Sequence, residues 1–102
     1  MNNFNICING TCHTSLYLNN ESLKLTGILG ESLFLQNNSH AHINGIVCNN
    51  INIDETSSVT INGMVNGTIY NYGKLEVYGT VKNIKNFGTL FISPNAKVDY
   101  SH

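Results

Sequence analysis

Apolar and polar residues alternate along this chain in a unit that keeps returning: apolar, any, apolar, any, Gly, any, apolar. It runs as Ile6, Ile8, Gly10, Cys12 and again as Leu23, Leu25, Gly27, Leu29. Further copies are Ala41, Ile43, Gly45, Val47, then Val59, Ile61, Gly63, Val65, then Leu75, Val77, Gly79, Val81. A sixth, degenerate copy begins at Leu90 and Ile92, with Pro94 where glycine is expected. The glycines step by 17, 18, 18 and 16 residues. Alternation rich in Ile, Val and Leu predicts short half-buried strands, and no stretch sustains a helical period.

Between these copies lies a second, shorter alternating segment. It reads Leu16-Tyr17-Leu18, Leu33-Phe34-Leu35, Ile51-Asn52-Ile53, Ile69-Tyr70-Asn71 and Ile84-Lys85-Asn86. Polar clusters at Asn19–Ser22, Asn37–Ser39 and Asp54–Ser58 hold the same place in three successive repeats. Asn and Gly adopt left-handed backbone angles readily, so both are expected at the corners.

A repeat of this length with two or three short strands is one coil of a β-solenoid. A single coil cannot bury its apolar residues, whereas stacked coils form a continuous inner column. A β-sandwich competes, but it gives no reason for equivalent residues in every coil. The expected fold is one all-β domain over residues 1–102, a single-stranded parallel β-helix of about six coils, with repeats over roughly 6–98. Stacking at roughly 4.8 Å per coil makes a rod about 29 Å long.

Composition narrows the function classes. The 102 residues include 18 Asn and no Arg, with 41% apolar and 11% charged residues and a net charge of −1. That balance differs from the low-hydrophobicity, high-charge signature of disorder. Five Lys without Arg cannot form a strong basic patch, so no nucleic-acid partner is expected. No apolar run approaches the roughly 20 residues of a membrane span. The first residues lack a secretion signal, and three cysteines suit reduced thiols, so a cytoplasmic location is expected.

Candidate chemistry is sparse. The glycines follow the coil period rather than a phosphate-binding loop. Asp54 and Glu55 are adjacent and point apart in an extended chain, unlike the converging pair of a glycosidase. No enzymatic activity and no cofactor are expected. Alignment of coils places Cys7 with His42 and His13 with Cys48 in outward columns, but Lys24 or Gly30 intervenes, about 10 Å between partners. That separation is too large for one metal ion, whose ligands lie roughly 2.0–2.3 Å from it, so no metal is expected.

Two outward columns carry more information. One is Tyr17, Phe34, Asn52, Tyr70, Lys85, whose Tyr17, Phe34 and Tyr70 form a candidate surface for lateral contacts or a client. The other is Thr11, Ile28, Ile46, Met64, Thr80. Strict alternation leaves Ile28, Ile46 and Met64 outward; a bulge at the glycine turns them inward, and the inward reading is preferred. Asn71 and Asn86 fall where earlier coils carry Leu18, Leu35 and Ile53. They form either an internal amide ladder or a corner. At the two ends only short segments flank the repeats, so Phe4, Ile6, Ile8, Leu90, Ile92 and Val98 are candidate stacking residues.

The stretch Val59-Thr60-Ile61-Asn62-Gly63-Met64-Val65-Asn66-Gly67-Thr68-Ile69 resembles the repeating signature of bactofilins, polymer-forming bacterial cytoskeletal proteins. Leu75–Val81 and Ala41–Val47 are similar. The resemblance implies a right-handed β-helix that polymerises without nucleotide and organises cell-wall or membrane machinery. The chain departs from the family in lacking long tails and most second glycines of each coil. The expected role is therefore self-assembly by end-to-end stacking, with itself and a client protein as partners. The alternative is a small binding module whose aromatic flank takes carbohydrate or protein.

Overall fold

A computed structural model describes residues 6–99. Its strands are all in parallel register and wind into a β-solenoid of about five turns, close to the six expected. The candidate end residue Phe4 lies outside the described residues.

Each coil has three faces. The first stacks six strands in order: Ile6–Ile8, Ser22–Leu25, His40–Ile43, Ser58–Ile61, Lys74–Val77 and Thr89–Ile92. The second stacks Thr11–Cys12, Ile28–Leu29, Ile46–Val47, the starts of Met64–Asn71 and Thr80–Asn86, and finally Lys97–Val98. The third stacks Leu16–Asn19, Leu33–Gln36 and Ile51–Ile53 on the ends of the same two long strands. Those long strands run round a corner and join the last two faces into one sheet.

Register follows the repeat. Leu23, Ala41, Val59, Leu75 and Leu90 stand in one column, and Leu25, Ile43, Ile61, Val77 and Ile92 in the next. Leu29, Val47, Val65 and Val81 fill the second face's inner column. These middle residues are at most 4% exposed. Removing a Leu or Ile from water in this way contributes about 1.5–3 kcal/mol. The inner columns lose cover only at the ends, where Ile6, Ile8, Cys12, Leu16, Leu90, Ala96 and Val98 are half-buried.

The recurring glycines have a different cause from the one expected. No described glycine has positive φ; only Asn20, Asn37 and Asn38 do, with φ of 55°, 56° and 63°. Glycine is required because the corner packs backbone on backbone. A Cβ on Gly27 would collide with the carbonyl oxygen of Gly10, one on Gly45 with that of Gly27, and one on Gly63 with that of Gly45. Gly79 meets Gly63 in the same way. In the last coil the column ends in a turn. Ser93 N donates to Val77 O and Lys97 N to Gly79 O, so Pro94, Asn95 and Ala96 together replace the single glycine.

Side-chain oxygens bolt another corner from coil to coil. Ser15 Oγ accepts the Ser32 N–H (3.3 Å), Ser32 Oγ that of Asn50 (3.3 Å), and Asn50 Oδ1 that of Thr68 (2.9 Å). Asn83 Nδ2 then donates to Thr68 Oγ1 at 3.1 Å. Among the described residues Asn83 Oδ1 is buried without a partner.

Ile28 and Met64 are 38% and 39% exposed, and Ile46 is half-exposed. The inward reading of this column is therefore corrected. The inner and outer sides keep their alternation across the two-residue corner that holds the glycine, and the strands after it stay in register from coil to coil. The bulge lies elsewhere, between Val65 and Thr68.

Candidate functional site

Third-face strands carry two outward columns side by side. In the first, Tyr17, Phe34, Asn52, Tyr70 and Lys85 are successive register partners. The second begins with Asn19 and Gln36 in register. It continues through Asp54, Tyr72 and Phe87, whose amides donate to Leu35 O, Ile53 O and Asn71 O at 3.1, 2.9 and 2.7 Å.

Aromatic rings occupy opposite ends of these columns. Tyr17 and Phe34 stack with centroids 4.8 Å apart and planes 5° from parallel. Tyr72 and Phe87 stack at 4.8 Å and 12°. Such pairs contribute about 0.5–1.5 kcal/mol beyond burial. Asn52, Gln36 and Asp54 lie diagonally between the two stacks. An open groove of about 430 Å³ forms there, lined by Tyr17, Phe34, Leu35, Gln36, Asn52, Ile53, Asp54 and Tyr72.

Sequence reasoning grouped Tyr70 with Tyr17 and Phe34. Asn52 separates it from them, and the Lys85 ammonium sits 5.8 Å from its ring centroid. Tyr72 is the aromatic that walls the groove. It lies one residue beyond the alternating segment read from the sequence, directly after Asn71, as Gln36 follows Leu35 and Asp54 follows Ile53.

Asp54 is held in place by its own turn. Its Oδ1 accepts the Thr56 N–H and hydroxyl at 2.9 and 2.8 Å, and its Oδ2 accepts the Asn37 N–H at 3.0 Å. Partial burial pushes its carboxyl up, but hydrogen bonds from Thr56, Asn37 and Ser57 outweigh that and hold it below its ordinary value.

Asn71 and Asn86 face each other in register on successive coils. Asn71 is fully buried, and its Nδ2 donates to Asn86 Oδ1 at 2.8 Å and to Thr89 O at 2.7 Å. Both amides also serve the corner: Asn71 Oδ1 accepts the Gly73 N–H at 3.1 Å and Asn86 Oδ1 that of Gly88 at 3.2 Å. Ladder and corner are thus one arrangement, which satisfies a buried polar group that would otherwise be costly.

The candidate end residues lie on the terminal coils. Ile6, Ile8, Leu90 and Val98 are half-buried, and Ile92 is 37% exposed. Cys7 and Cys48 are exposed and Cys12 half-buried, all three as free thiols. Among the described residues no three His, Cys, Asp or Glu converge to hold a metal ion. No helix among them is long and apolar enough to cross a membrane. No family model, curated protein or solved structure matches this chain.

Proposed function

We propose that this chain is a scaffolding protein that self-assembles by stacking the first coil of one copy on the last coil of another. Gly10 is the observation that carries the reading. Each later glycine in its column is obligatory, because the preceding coil's backbone occupies the Cβ position. Gly10 is under no such constraint among the described residues: none of their atoms lies within 4 Å of a Cβ built there, and its φ is not left-handed. A glycine at that position keeps open the same close approach for a carbonyl from outside the described coils.

Two further features support stacking. The half-buried apolar residues packed against the core belong to the first and last coils, where another coil would cover them. Among the described residues, Ile6–Ile8 pairs with one neighbour and Thr89–Ile92 with one, leaving a strand edge at each end. Such edges template pairing with another chain. The role is bactofilin-like: a cytoplasmic scaffold that polymerises without nucleotide, without enzymatic activity of its own, and with its flanks available to a client.

Sedimentation velocity and negative-stain microscopy test this. The wild type should form rods that lengthen with concentration. Gly10→Val should remain a monomer with an unchanged melting temperature, and Val98→Asp should block growth from the opposite end. A wild type that stays monomeric at its highest soluble concentration overturns the proposal.

A further inference from the structure

We propose that the groove between the two aromatic stacks binds an uncharged glycan, with one sugar ring continuing the Tyr17–Phe34 ladder over Asn52. This site lies on a flank of the solenoid and does not depend on assembly at the ends.

The ladder is interrupted rather than finished. Phe34 stacks on Tyr17 on one side, and its register partner on the other side is Asn52, too short to cover a ring. Tyr17 is 68% exposed and Tyr72, at the far wall, is 52% exposed. Among the described residues neither the Asn52 nor the Gln36 side-chain amide has a hydrogen-bond partner. Both amides are therefore open to hydrogen bonds from a ligand seated in the groove.

A pyranose has an apolar C–H face and a rim of hydroxyls. The rings match the face, and the Asn52 and Gln36 amides and Asp54 carboxylate match the rim. A hydrocarbon aromatic ligand would leave the amides unused. A phosphate or acidic sugar would meet the Asp54 carboxylate, and Lys85 is engaged with Tyr70 away from the groove. At about 430 Å³ the groove falls within the range of small-ligand sites, roughly 300–1,000 Å³.

Amide NMR titrations with three soluble uncharged hexasaccharides test the site: β-1,4-linked glucose, β-1,4-linked N-acetylglucosamine and α-1,4-linked glucose. At least one should saturate, shifting the amides of Phe34, Asn52 and Asp54. Phe34→Ala and Asn52→Ala should each weaken it by roughly tenfold or more, the loss expected for one principal contact. Tyr78→Ala, an exposed aromatic outside the groove, should leave binding unchanged. The proposal is overturned if none of the three saturates at millimolar concentration, or if binding survives both Phe34→Ala and Asn52→Ala in folded protein. Shifts centred on Tyr78 and Phe91 would overturn it equally. End-to-end stacking would stand or fall separately in the sedimentation experiment.

Discussion

A Cβ on Gly45 would overlap the carbonyl oxygen of Gly27, and backbone on both sides leaves it nowhere to move. Gly45→Ala is therefore expected to cost about 3 kcal/mol, the upper range for overpacking. Gly10→Ala should instead be neutral or stabilising by about 0.5 kcal/mol, since it only restricts the unfolded chain. Urea unfolding of the two variants gives the contrast. The glycine column was plain in the sequence as a spacing. Its cause was not, because a one-dimensional repeat records recurrence and not the distance between coils. The same limit hid the role of Asn20, Asn37 and Asn38, which alone among the described residues take the left-handed angles first assigned to both residue types. Ile28 and Met64 were misjudged for a related reason: a glycine that interrupts an alternating run signals either a bulge or a close approach, and here it is a close approach at a corner between strands.

At the scale of elements, the turn that begins at Asp54 shows how a polar cluster becomes structure. Its carboxylate ties its own coil to the preceding one through the Asn37 amide. The folded-state value is depressed, so the stabilisation is full above the unfolded value of about 3.9 and is lost as pH falls through the lower folded one. The stability difference between wild type and Asp54→Ala should thus be constant above about pH 5 and shrink below about pH 4. Denaturant melts across that range would measure it. Strand faces were well legible in the sequence, since Leu18, Leu35, Ile53 and Asn71 stack as the alternation requires. The groove was only partly legible. Tyr17 and Phe34 were visible by alternation, but Tyr72 directly follows Asn71, as Asp54 follows Ile53 and Gln36 follows Leu35, one residue beyond the three-residue segment in which the alternation was read.

For the whole molecule, interactions run between neighbouring coils, so cover decreases toward both ends. Leu25, Ile43 and Ile61 are fully buried, whereas Ile8 is half-buried and Ile92 partly exposed. Amide hydrogen exchange should follow that gradient, slowest in His40–Ile43 and Ser58–Ile61 and fastest in Ile6–Ile8 and Thr89–Ile92. Uniform exchange across all six first-face strands would mean a single global opening instead.

Parallel winding gives the body, measuring 30 × 25 × 25 Å, two unlike ends. One begins at Gly10 with its open approach, and the other finishes in the Ser93–Ala96 turn. Because no two-fold axis relates them, strand pairing of copies in the same sense is a translation and not a closed pair. Each addition would regenerate the surface it consumed, so the described coils by themselves set no limit to growth, and an assembly built this way would be directional. Its length would be set by supply and by whatever binds an end.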